Sequence, residues 1–107
     1  MELPYKYIED LTNQIPEIPA DSIVSQTIIS DERLKIVLFG FAQGQELSEH
    51  TASQPAILHL LAGEATFTLG QDRFEARAGT WVHMPPNLPH SVHAKTKLMM
   101  LLTLLRQ

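Results

Sequence analysis

No cysteine occurs anywhere in this chain of 107 residues. Disulfide frameworks, cysteine-ligated zinc fingers and thiol nucleophiles are thereby excluded, and the chain is compatible with a cytosol. Positive charge is also in short supply. Eight Lys and Arg stand against 12 Asp and Glu, a net charge of −4. Such a balance gives no basic footprint for nucleic acid or an anionic membrane surface. The apolar run Leu98–Leu105 is interrupted by Thr103 and falls far short of the roughly 20 residues that span a bilayer. Met1-Glu-Leu-Pro has neither the basic region nor the apolar run of a signal peptide. A cytoplasmic protein with no nucleic-acid and no membrane partner is expected. Several catalytic signatures are missing too: no Gly-rich phosphate cradle, no G-x-S-x-G and no H-E-x-x-H. Ser48 and Ser91 lie near histidines, but no carboxylate is placed to orient an imidazole as a triad needs.

What is present reads as one globular domain. Apolar residues make up 44% and charged residues 19%, ordinary values that argue against disorder. Residues 1–20 carry Pro4, Pro16 and Pro19 and read as an arm. Tyr5, Ile8, Leu11 and Ile15 recur there at three- and four-residue steps, which predicts one or two turns of amphipathic helix packed on the remainder. Residues 21–107 form the main domain. Ser22–Ile29 is rich in β-branched residues and reads as a strand, with turn chemistry at Ser30-Asp31-Glu32. Arg33–Ala42 follows, with Leu34, Ile36 and Leu38 on one face and Val37, Phe39 and Phe41 on the other. Both faces are apolar, so burial on both sides is expected, and Gly40 marks a bulge or a close approach. Ala56–Ala62, a hairpin of Ala65–Leu69 and Arg73–Arg77, a strand after Gly79, another from Ser91 and a last one at Leu98–Leu105 complete the series. Short strands at regular intervals with little helix signal predict an all-β sandwich or barrel.

The stretch Gly79–His90 organises the rest. A short apolar strand ends at Pro85-Pro86, and a second proline-bearing turn delivers His90. Proline lacks a backbone donor, so this pair cannot lie inside a sheet. The stretch resembles the second motif of the cupin superfamily, G-x5-P-x-G-x2-H-x3-N. Gly79, Pro85 and His90 match; Asn87 replaces a glycine, a mild change because Asn tolerates φ > 0, and Ala94 replaces the last Asn. Upstream, Gly44–Gly63 resembles the first motif, G-x5-H-x-H-x3-E-x6-G, with Gly44, His50 and Gly63 in place. Ala52 and Ala56 stand where that motif carries its second His and its Glu. The resemblance covers Gly44 to Ala94, about half the chain, and implies a double-stranded β-helix, the jelly-roll barrel of cupins, with an N-terminal arm.

By the same resemblance, His50 and His90 are the two remaining members of the family's metal quartet, which implies either one divalent transition metal (Zn, Fe, Mn or Ni) or no cofactor and a polar pair hydrogen-bonded inside a pocket. Catalytic centres generally use three protein ligands, so two imidazoles need help; Gln54 and His93 are the candidates to supply it. Residues two apart on a strand share a face. That places His50, Ala52, Ala56 and Leu58 together if no bulge intervenes, and with Met84 and His90 they would line a pocket. His59 and His83 have the opposite parity and point outward beside Trp81, where aromatic residues suit a partner surface. Met84, Met99 and Met100 read as core filler rather than a copper site. Three functions follow: a small-molecule-binding protein with a reduced two-His site; a metal-dependent enzyme of dioxygenase, isomerase or decarboxylase type using His50 and His90; or a non-catalytic regulatory or structural dimer. A small-molecule ligand and a homodimer are the expected partners.

Overall fold

A computed structural model describes residues 3–106 of the chain; Met1, Glu2 and Gln107, and with them the outer ends expected for the arm and the main domain, lie outside the described residues. Nine strands follow one another: β1 (Ile23–Ser30), β2 (Leu34–Phe41), β3 (Glu46–His50), β4 (Ala56–Ala62), β5 (Glu64–Leu69), β6 (Asp72–Arg77), β7 (Trp81–Met84), β8 (His90–Ala94) and β9 (Leu98–Leu105). They form two antiparallel sheets, a five-stranded one in the order β1-β2-β9-β4-β7 and a four-stranded one in the order β3-β8-β5-β6. The fold is all-β, two antiparallel sheets rolled together as the motif resemblance implies. β4 and β9 keep the bounds that their apolar runs predict. β3 has no counterpart among the expected strands, because Glu46-Leu-Ser-Glu-His50 carries a single apolar residue and gives no strand signal.

Alternation along the strands builds the core between the sheets. In the five-stranded sheet, Val37, Leu102, Leu58 and Val82 lie in one row across β2, β9, β4 and β7. In the four-stranded sheet the facing row is Leu47, Val92, Phe67 and Phe74. Leu102, Leu58 and Val82 of the first row and Leu47, Val92 and Phe67 of the second meet in one cluster in which Leu60, Phe67 and Phe41 are fully buried. Fully burying a side chain of this size stabilises the fold by about 1.5–3 kcal/mol, so this layer holds the two sheets together.

The outer face of the five-stranded sheet is apolar as well, and the arm covers part of it. Ile15 and Ile18 pack with Leu38, Ile36, Met99 and Leu101, together with Ile8 and Leu11. The helical period expected in the arm yields one 3-10 turn, Leu11–Gln14, capped by the Asp10 carboxylate accepting from the Thr12 amide at 3.0 Å. Pro16 ends any longer helix, and Tyr5 stays exposed. At Gly40 the close approach is real: a Cβ there would come within 2.8 Å of the Ile18 side chain. Among the described residues no helix is long and apolar enough to cross a membrane.

Gly63 joins β4 to β5 at φ +87°, and a Cβ there would run into the Lys97 carbonyl and lie 2.7 Å from Leu98 Cβ. Gly44 has φ +85° but open space around it. Gly63→Ala should therefore cost at least about 2 kcal/mol, whereas Gly44→Ala carries only the left-handed backbone strain of about 1–2 kcal/mol. Urea denaturation of the two variants checks this ordering; equal losses would mean the β4–β5 turn yields freely.

Candidate functional site

His90 is aimed by the proline loop that precedes it. Asn87 adopts φ +67°, the left-handed conformation for which Asn is a tolerated substitute for glycine. Its amide donates to the Ala52 carbonyl at 2.7 Å, and the Gly70 amide donates to the Pro89 carbonyl at 2.7 Å. Two backbone bonds thus pin the loop, one to the β3–β4 connection and one to the β5–β6 turn. His90 then enters β8 with only 5% of its surface exposed.

His50 reaches the same place by a different device. On β3, Leu47 pairs with Val92 and His50 with His90, so three residue steps on β3 oppose two on β8. Strict alternation from Leu47 would turn His50 outward; the bulge at Ser48-Glu49 turns it back. The two imidazoles end with centroids 4.1 Å apart and planes at 55°.

Each ring is clasped in the same way. His50 Nδ1 lies 2.8 Å from the Ser48 carbonyl, and His90 Nδ1 lies 2.9 Å from the Leu88 carbonyl. A carbonyl oxygen only accepts, so Nδ1 carries a proton in both rings, and the neutral form of each ring keeps its lone pair on Nε2. Neither Nε2 has a protein partner among the described residues, and no buried side-chain polar atom there lacks one. The His90 Nε2 therefore reaches solvent at the barrel mouth. Burial pushes the His90 pKa below the usual histidine value, and the nearby His50 adds to this; the Leu88 carbonyl works against it.

The other residues singled out from the sequence fall into three places. Ala56, Leu58 and Met84 are packed within the core, at 3%, 3% and 1% exposure. Ala52 and Gln54 are half-buried in the β3–β4 connection. His93 is not brought to the pair. It lies on the opposite face of β8, with Nδ1 3.8 Å from Glu46 Oε1, because β8 keeps regular alternation from His90 onward. His59 and His83 sit on the outer face of the five-stranded sheet, His59 opposite Trp81 and His83 opposite Ile57.

A cleft of about 480 Å³ opens beside the mouth and includes Phe67, Leu69, Phe74, Thr80, Trp81 and Val82 in its lining. It lies along the edges of the two sheets, β6 on one side and β7 on the other. Leu69 in this lining pairs directly with His90 on β8. Sequence patterning does not single this cleft out. The available signal is Phe74, a large apolar residue alone in the polar strand Asp72–Arg77 and half exposed.

As a metal centre the donor set is short. Among the described residues no group of three or more His, Cys, Asp or Glu comes together, whereas catalytic metals generally take three protein ligands. The clasped rings with free Nε2 atoms suit two ligand positions.

A model of the cupin domain matches residues 37–104. The chain belongs to the cupin family. This cupin is similar along nearly its whole length to several solved structures. A conserved protein of unknown function from Streptococcus pyogenes superposes with a TM-score of 0.85 at 28% identity, covering 98% of this chain and 91% of that one. A cupin superfamily protein from Desulfitobacterium hafniense gives a TM-score of 0.87 at 25% identity over 98% and 95% of the two chains. An RmlC-like cupin from Desulfovibrio desulfuricans gives 0.79 at 28% identity over 94% and 96%. No curated protein matches the sequence of this cupin.

The lowered His90 pKa has a signed consequence. The unfolded chain binds a proton near pH 6.5, and the folded chain does so only at lower pH. The stability from neutral His90 is present above about pH 6.5 and is lost as pH falls through that value toward the folded pKa. The melting temperature should drop between pH 7.5 and pH 5.5, and the drop should shrink in His90→Gln. An unchanged slope in that variant would assign the effect to other groups.

Proposed function

We propose that this cupin binds a small molecule at the barrel mouth, with His50 and His90 as its polar contacts. The observation that carries this reading is the pair of clasped rings with unpartnered Nε2 atoms. Two imidazoles whose Nδ1 protons are held by backbone carbonyls turn Nε2 outward, which in the neutral ring suits a ligand that brings its own hydrogen-bond donors. Apolar sites with a few convergent polar groups are the usual form of small-molecule sites. Native mass spectrometry of gently purified protein should find a co-purifying organic ligand that is lost in His50→Ala/His90→Ala. Retention of the same ligand by that double variant would move the site elsewhere.

The free Nε2 atoms also favour a second reading, a metal-dependent enzyme. A divalent transition metal (Zn, Fe, Mn or Ni) would be held by His50 and His90, with remaining positions filled by ligand or water. When bound, such a metal supplies Lewis acidity for reactions of the dioxygenase, isomerase or decarboxylase type. His50 and His90 would bind it only in their neutral forms. Ala52→His with Ala56→Glu rebuilds the three-His, one-Glu set of the cupin motif. Ala56 is core-packed, so overpacking costs about 1–3 kcal/mol. The double variant should bind one equivalent of metal more tightly than the parent and melt higher when metal is added. Calorimetry showing equally tight binding by the parent would favour the enzyme.

The third reading is a non-catalytic regulatory or structural dimer, and a homodimer is compatible with all three. The arm covers the Leu38 and Leu101 side of the outer face but leaves Trp81, at 59% exposure, and its neighbour His59 toward the β7 edge. Light scattering should give about twice the 12.0 kDa chain mass; a mass near that of one chain excludes the dimer.

A further inference from the structure

We infer that the cleft between the β6 and β7 edges takes a flat, uncharged aromatic ring system. This deepens the small-molecule reading, on which it rests, by naming the chemical class of the ligand's body. The floor is hydrocarbon: Phe67 is fully buried, and Leu69 and Val82 are half-buried and pack against the core. The lips are aromatic. Phe74 is 50% exposed on β6 and Trp81 59% exposed on β7, and each strand has a single sheet partner. Large rings left open on two facing edges offer the walls between which another ring can sit, stacked or edge-on.

The polar groups around the cleft narrow the class further. The Thr80 hydroxyl already accepts from the Arg77 amide at 3.1 Å. The Glu75 carboxylate is held by Lys95 Nζ at 2.8 Å and by the Thr66 hydroxyl at 3.4 Å. A sugar or other polyol would turn hydroxyls onto the hydrocarbon floor and leave them unpaired, which buried hydroxyls do not tolerate. The exposed His83 imidazole lines the outer side of the cleft. An anion would meet the Glu75 carboxylate at the rim, and the cation beside it, Lys95, is already paired with that carboxylate. A planar uncharged ring meets neither obstacle. Leu69 is the cross-strand neighbour of His90, so the cleft adjoins the strand position that carries this imidazole.

Trp81 is the chain's single tryptophan, so the one indole N–H signal in a proton–nitrogen correlation spectrum comes from the lip of the cleft, read at a protein concentration held fixed through the titration. The full chain, isotope-labelled, is titrated with 2-naphthol, with 2-naphthoate and with methyl α-glucoside. 2-Naphthol should shift the indole signal saturably and bind at least tenfold more tightly than the other two. Val82→Phe, which fills the floor, should weaken it at least tenfold. Should that variant fail to fold, Trp81→Ala removes a lip from the surface, and ligand-side saturation transfer from 2-naphthol should fall to the same extent. Equal binding of the naphthoate or the glucoside, or 2-naphthol binding untouched by the substitution that is read, overturns the inference. The histidine ring signals separate this claim from its parent. Indole shifts without movement at His50 and His90 support the cleft and count against the imidazole contacts. Imidazole shifts without indole movement overturn the cleft and leave those contacts standing.

Discussion

Burial of the five-stranded sheet on both faces is the constraint on which the rest depends. β2 and β9 put Val37, Phe39 and Phe41, and Leu98, Met100 and Leu102, toward the second sheet. Leu38, Met99 and Leu101 go to the other side, where the arm meets them. A sheet apolar on both faces needs two covers. The four-stranded sheet is one and the arm is the other, so a chain with little mass to spare uses its first residues for packing. The cover stops short of β7, which leaves this edge open to solvent and sets one wall of the cleft.

Within that frame, the mouth is built from departures from regular strand geometry. In a regular strand, side chains stand off the sheet while the carbonyls lie in its plane and belong to the ladder. An imidazole there has no spare carbonyl close behind it. Both histidines find one because the backbone just upstream is irregular: the bulge at Ser48-Glu49 for His50, and the proline loop ending at Pro89 for His90. The polar chemistry of the site thus sits where the sheet is interrupted.

This division explains what could be read from the sequence. Periodic apolar runs marked β2, β4 and β9 and the two faces of β2, because a buried face leaves its period in the residues. Gly40 and Asn87 were legible for steric reasons, since one admits Ile18 and the other tolerates a left-handed backbone. The nearness of His50 and His90 followed from motif spacing. β3 was not legible, because its residues are polar and mostly exposed and its pairing comes from β8. The bulge left no trace in composition, so the clasp on His50 could not be foreseen. The cleft was hidden because it is a property of two sheet edges that meet only in the folded chain.

The carbonyl clasps also bear on how binding is driven. A free imidazole on a surface samples several rotamers and both tautomers, and a partner must select one of each. Here the Ser48 and Leu88 carbonyls have made that selection before any partner arrives. Little side-chain freedom remains to be lost, so a contact at the two Nε2 atoms keeps more of its gross strength than a floppy pair would allow. A modest number of contacts can then suffice for recognition. The same stiffness limits the repertoire, because rings held this way cannot turn to suit a ligand of another shape.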